Sequence, residues 1–245
     1  GSMFYFQRGW MVSMPPATER SQATLMAAAA AEPRPGDEEE ATTLVGVDKG
    51  SDAVLAHVVP QKGAAWQWVA SQLDRDVRRF GYHGRLVLKS DGENAATELM
   101  RELARKRRSE ATVVEQSKPY DSKSNGRAEN TVNRLESQVR TLKIATELAI
   151  GKRLSVVSPL FEWMVQHAAD VLTKCPVGQD GRTPYERLKG KRYHGLMVPF
   201  ASMVYLKVPG KLQGGVMSER WVPGMWLASL SSFTVPLPLG STTIV

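Results

Sequence analysis

Cysteine, histidine and long apolar runs are scarce in this chain. A single cysteine, Cys175, excludes a disulfide framework, and four histidines at unrelated spacings cannot assemble a zinc site. No apolar run approaches the roughly 20 residues of a membrane-spanning helix. The alanine-rich run 25–31 also lacks the charged flank of a secretory signal. We therefore expect a soluble, intracellular protein that needs no zinc, is not secreted and has no membrane partner.

Acidic residues are outnumbered, and the imbalance is confined to one part of the chain. The 245 residues include 32 lysines and arginines against 25 acids, a net charge of +7. Residues 1–43 hold three arginines and six acids, a balance of −3, which leaves +10 on residues 44–245. A basic segment of that size is typical of proteins that bind nucleic acid. A well-solvated surface explains the charge alone equally well.

The first 43 residues lack a sustained periodic pattern. They combine PPATERSQ, an alanine run and PRPGDEEE, which predicts a linker or disordered tail over 1–43. The one β-prone segment in this range is FYFQ at 4–7, a candidate remnant strand.

From Thr43 onward the apolar pattern alternates between the periods of strands and helices. The runs Leu44–Val47 and Val54–Val59 predict a β-hairpin around the turn DKGSD. The later pattern predicts a helix over Trp66–Phe80, a strand at Arg85–Lys89, a helix capped by Ser90 and ending in RKRR at 105–108, a strand at Thr112–Val114, and helices beginning at Glu129, Ser158 and Thr183. Short β-prone runs with glycine turns follow Val198. This order of elements indicates an α/β fold.

Two carboxylates stand at element boundaries. Asp91 follows a predicted strand, and Glu129 opens the long helix after a polar, turn-rich stretch. Sites in open α/β sheets gather at the carboxyl ends of strands, and carboxylate oxygens are the ligands that Mg²⁺ prefers. Taken singly, each acid is explained as well by a favourable interaction with the N-terminus of its helix.

The setting of both acids resembles a known family. LKSDGENA surrounds Asp91, and PYDSKSNGRAENTVNRLE surrounds Glu129. Together with DGRTPYERLKGK at 180–191 and the later runs MVYLKVPG and WVPGMWL, these stretches resemble the retroviral-type integrase catalytic core of long-terminal-repeat retrotransposons, most like the copia class. The resemblance covers about residues 44–227.

The resemblance implies a fold, a chemistry and partners. It implies a ribonuclease-H-like α/β core, a mixed sheet with flanking helices, over 44–192, then a small β subdomain over 193–232 and an irregular tail over 233–245. The implied activity is DNA integration by strand transfer, with Asp91 and Glu129 as catalytic residues and ligands of Mg²⁺ or Mn²⁺. Candidate nucleic-acid contacts are Lys118, Lys123, Asn125 and Arg127, in a mobile loop hinged at Gly126. DNA ends, target duplex and further copies of this chain would be partners, in the nucleus or otherwise the cytoplasm.

The chain departs from the family pattern at the first of three expected acids. That aspartate is expected on the strand before the hairpin, at the position of Met3, which cannot ligate Mg²⁺. Asp48 aligns instead with the hairpin turn. The pattern also changes after Leu227, as in a fragment or altered copy of an element. Three functions therefore stay open: a strand-transfer enzyme, a DNA- or RNA-binding module without chemistry, and a ribonuclease-H-like nuclease.

Overall fold

A computed structural model describes residues 2–9, 41–59, 66–90, 94–107, 112–116, 122–156, 158–207, 221–230 and 233–238. The strands in these ranges are β1 Ser2–Gly9, β2 Thr43–Asp48, β3 Val54–Val58, β4 Leu86–Ser90, β5 Thr112–Gln116, β6 Met203–Lys207, β7 Trp221–Leu230 and β8 Phe233–Pro238. The helices are α1 Trp66–Phe80, α2 Asn94–Arg107, α3 Ser122–Ile150, α4 Pro159–Lys174 and α5 Pro184–Lys189. No helix in the described ranges has both the length and the apolar composition needed to cross a membrane.

The main sheet is mixed, with the strand order β3-β2-β1-β4-β5. β2 runs antiparallel to β1 and β3, whereas β1, β4 and β5 run parallel to one another. β1 therefore lies at the centre of the sheet and pairs with β2, although 33 residues of the chain lie between Gly9 and Thr43. The predicted α/β class is confirmed by this arrangement.

Helices cover both faces of the main sheet. Successive residues of a strand point to opposite faces, so each strand contributes side chains to two cores. Leu44 of β2 lies in a core with α1 and α2, which contribute Leu73 and Leu99. Its neighbour Val45 lies in the other core, with Leu135 of α3 and Phe161 of α4. The α/β pattern thus gives a three-layer arrangement around the sheet.

The second sheet has three antiparallel strands, in the order β6-β7-β8. Leu227 of β7 is 1% exposed and belongs to the same hydrophobic core as Met164 of α4. This sheet therefore shares its core with the main sheet. We expected no regular element over 233–245, whereas β8 forms at Phe233–Pro238 by pairing with β7. Whether a short segment forms a strand depends on the strand with which it pairs, and a single sequence does not show which segments pair.

The helix caps predicted from the sequence are present at α4 and α5 but not at α2. Ser158 caps α4, and Thr183 and Glu186 form a reciprocal capping box at α5. The predicted cap at Ser90 is wrong, because Ser90 is the last residue of β4 and its hydroxyl lies 3.3 Å from that of Thr97 in α2.

The long helix α3 begins at Ser122, seven residues before the predicted start at Glu129. Its buried apolar residues Ala128, Val132, Leu135 and Val139 are spaced by four, three and four, which is the period of a helix face. Serine, asparagine and glycine have low helix propensity, so the sequence SKSNG suggested a loop. Packing of Ala128 against Val47 of β2 outweighs that local preference.

The prediction of a loop hinged at Gly126 is consequently wrong, because Gly126 lies within α3. Apart from the backbone of its own helix, a methyl group added at Gly126 would meet no atom of the described residues within 4 Å. We expect Gly126→Ala to stabilise the fold by about 0.5–1 kcal/mol, because alanine loses less backbone entropy than glycine in a helix. Urea denaturation measures this change, and a destabilising effect would show that the segment is not helical in solution.

Candidate nucleic-acid interface

Of the two predicted catalytic acids, Glu129 alone lies among the described residues. Asp91 directly follows Ser90, the end of β4, and itself lies outside the described residues. Glu129 lies on α3, is exposed, and follows Ala128, which packs against Val47. Across the strands, Val47 pairs with Tyr5, and Tyr5 pairs with Lys89. Two strand spacings amount to about 10 Å, so Val47, which Ala128 of α3 contacts, lies about that far across the sheet from Lys89 of β4.

The central strand β1 offers no carboxylate to this region. Its sequence, SMFYFQRG, contains neither aspartate nor glutamate. In the register of β1 with β4, Met3 pairs with Val87, whereas Phe6 pairs with Ser90. Three residues along a strand span about 10 Å. The backbone position beside the end of β4 is therefore Phe6 rather than Met3.

The side chain of Asp48 forms hydrogen bonds that hold the β2–β3 turn. Its side chain is buried, and Oδ2 accepts hydrogen bonds from the Ser51 amide at 2.8 Å, the Ser51 hydroxyl at 2.6 Å and the Tyr82 hydroxyl at 2.8 Å. Its β1 partner, Phe4, lies level with Leu88, two residues before the end of β4. The interpretation of Asp48 as a hairpin residue agrees with these contacts.

The residues that the structure describes do not fit a two-metal site. Among them, no three histidine, cysteine, aspartate or glutamate side chains come together as ligands for a metal ion. Glu129 supplies one exposed carboxylate, Asp91 could supply a second, and β1 supplies none. Two carboxylates suit a single hydrated Mg²⁺ ion, whereas a two-ion clamp for strand transfer requires more ligands.

The candidate nucleic-acid contacts fall at the start of α3. Lys118 lies outside the described residues, and Lys123 and Asn125 are in the first turns of α3, where the structure describes the backbone alone. Arg127 is exposed, and its Nη1 donates to the Lys49 carbonyl and to Oδ1 of Asp52, both at 2.7 Å. To contact nucleic acid through Nη1, Arg127 would therefore have to exchange its present partners, Lys49 and Asp52, for the ligand.

Asp52 joins Arg127 to a second arginine that the sequence did not single out. Nη1 of Arg187, on α5, donates to Oδ2 of Asp52 at 2.9 Å, and Arg187 also forms a two-nitrogen contact with Asp180. This contact holds the pKa of the Asp180 carboxyl well below its usual range and raises the pKa of Arg187. The positions 52, 127 and 187 are far apart along the chain, so no local pattern could have grouped them.

Comparisons with known proteins give distant structural similarity only. No family model matches the sequence, and no curated protein is similar to it. A chain of the simian T-cell lymphotropic virus intasome, in complex with PP2A regulatory subunit B56 gamma, is 14% identical with a TM-score of 0.49, covering 91% of this chain and 68% of that one. The catalytic core domain of BIV integrase is 17% identical with a TM-score of 0.39, covering 74% and 91%.

The HTLV-2 integrase catalytic core domain, in its dimeric form with magnesium, is 14% identical with a TM-score of 0.45, covering 76% of this chain and 94% of that one. The structural neighbours thus include integrase catalytic cores. These three chains are at most 17% identical to this one, and each TM-score is below 0.5.

Proposed function

We propose that this chain is an integrase-type, ribonuclease-H-like domain of a copia-like retrotransposon that binds duplex DNA but performs little or no strand transfer. The observation that carries the proposal is the strand order β3-β2-β1-β4-β5, with Asp91 next in sequence after β4 and Glu129 on α3. In this proposal Asp91 and Glu129 would hold one Mg²⁺ ion, which polarises phosphate oxygens when bound. Nuclear location and self-association remain predictions.

The choice of a binding function over strand transfer depends on the central strand. β1 has no acid, and Asp48 already accepts three hydrogen bonds, two from Ser51 in the turn and one from Tyr82. Positioning and charge stabilisation supply most of the catalysis in phosphoryl transfer. A chain that lacks one of the acids should therefore lose strand transfer before it loses DNA binding. The positive charge of residues 44–245 does not depend on that acid set and remains available for the DNA backbone.

Salt dependence tests the proposed DNA binding. If about six phosphates are contacted, affinity for a 30-base-pair duplex should fall roughly 10³-fold between 50 and 200 mM salt. The double variant Lys123→Gln/Arg127→Gln should flatten the slope of log affinity against log salt by about two. Fluorescence anisotropy measures both quantities.

The matched control for this experiment is Lys152→Gln/Arg153→Gln, which removes the same charges just beyond the other end of α3. About 25 helical residues, or about 38 Å, separate the two sites. The control should retain nearly the full slope. An equal loss in both double variants would mean that the DNA does not bind at the start of α3, and absent binding at 50 mM salt would refute the proposed function.

A Mg²⁺-dependent end-joining assay tests the absence of strand transfer. We expect no joined product from the natural sequence, and unchanged DNA binding in Glu129→Gln. If the absent acid on β1 is the cause, Phe6→Asp should gain joining and Met3→Asp should not, because Phe6 is the residue paired with Ser90. Robust joining by the unmodified chain would contradict the proposal.

A further inference from the structure

Two arginines from distant segments converge on one carboxylate near the start of α3. Nη1 of Arg127 lies 2.7 Å from Oδ1 of Asp52, and Nη1 of Arg187 lies 2.9 Å from Oδ2 of the same side chain. Asp52 belongs to the β2–β3 turn and has φ of 62°, a left-handed backbone conformation. The turn therefore presents a single carboxylate between two guanidinium groups.

Each arginine also has a partner that does not involve Asp52. Arg187 is held by Asp180 through Nε at 2.9 Å and Nη2 at 2.6 Å. Arg127 donates to the Lys49 carbonyl. The two guanidinium groups would therefore remain close together if the Asp52 carboxylate moved away or lost its charge.

The contact between Arg127 and Asp52 is open to water. The side chain of Arg127 is 46% exposed and that of Asp52 is 40% exposed. Water and salt screen an ion pair of this kind, so it is weak. A DNA phosphate presents a similar pair of anionic oxygens, and its binding also releases condensed counterions, which favours exchange of one anion for the other.

We propose that Arg127 and Arg187 form a binding site for one DNA backbone phosphate, and that Asp52 occupies this site as an internal competitor in the free protein. The inference deepens the proposed DNA binding and depends on it. Arginine suits this role because its planar group binds two anionic oxygens at once. Asp52 thus lowers the affinity for DNA, and its neutralisation should raise it.

The test is the affinity of Asp52→Asn for a labelled 30-base-pair duplex at 50 mM salt. We expect a gain of about 3- to 10-fold from the loss of one competing charge. Asparagine tolerates the left-handed conformation, so the variant should fold, and its unfolding midpoint verifies this. The control is Glu102→Gln, which removes one acid that is paired with Arg105 at 2.6 Å on α2, a helix of the opposite sheet face. It should change the affinity less than 2-fold.

Variants of the two arginines separate competition from a general charge effect. The gain from Asp52→Asn should disappear in an Arg127→Gln background and shrink in an Arg187→Gln background. Equal gains in Asp52→Asn and Glu102→Gln, or weaker binding by Asp52→Asn, would overturn the inference while leaving the proposed function intact. Absence of binding by both the natural sequence and Asp52→Asn would overturn both.

Discussion

Replacement of Arg107 by alanine is expected to cost about 3 kcal/mol of unfolding free energy. The Arg107 side chain is 2% exposed and ends α2. It donates to Asp74 of α1 at 3.2 Å and to the carbonyls of Tyr82 at 2.9 Å and Gly84 at 3.3 Å. Burial lowers the pKa of Arg107, and the charge of Asp74 partly offsets this effect. Truncation would leave these acceptors without their buried donor.

Arg105 provides the control for that prediction, two residues away in the same RKRR run. Its side chain is 73% exposed and pairs with Glu102, so Arg105→Ala should change stability by less than about 0.5 kcal/mol. Arg107→Lys should lose most of the unfolding free energy that Arg107→Ala loses, because lysine cannot reproduce the planar arrangement of donors. Urea denaturation distinguishes the three variants, and equal stability of Arg105→Ala and Arg107→Ala would refute the buried role of Arg107.

Asp48→Asn is expected to cost about 2 kcal/mol of unfolding free energy and to leave DNA affinity unchanged. The carboxylate is 1% exposed and accepts three hydrogen bonds from Ser51 and Tyr82. Hydrogen bonds to a charged acceptor are stronger than neutral ones. Its Oδ1 has no hydrogen-bond partner among the described residues, so the amide of asparagine would also bring an unsatisfied group into a buried place.

Glu102→Gln is the control for Asp48, since Glu102 pairs with the exposed Arg105 one helical turn away on α2. A pair of this kind contributes about 0.3–0.5 kcal/mol. Thermal and urea unfolding measure stability, and anisotropy measures DNA binding. If Asp48→Asn were as stable as the natural sequence but lost a Mg²⁺-dependent reaction, Asp48 would be the missing first acid and our assignment of it to the turn would be wrong.

The elements with strong periodicity were predictable from the sequence. The helix Trp66–Phe80 and the hairpin strands around the turn at 49–52 have the expected type and nearly the expected bounds. Their apolar residues recur with a single period, which is the physical requirement for burying one face. The start of α3 was not predictable in this way, because SKSNG disfavours a helix locally and the decisive contact, between Ala128 and Val47, joins distant segments.

The sequence by itself determined the charge distribution, the absence of an acid from SMFYFQRG and the two acidic motifs at Asp91 and Glu129. These are properties of composition and local order, which folding does not change. The tertiary structure alone decided that Phe6 pairs with Ser90, that Tyr82 donates a hydrogen bond to Asp48, and that Asp52 lies between Arg127 and Arg187. Strand register and contacts between distant residues depend on how the whole chain packs, since each local segment is compatible with many partners.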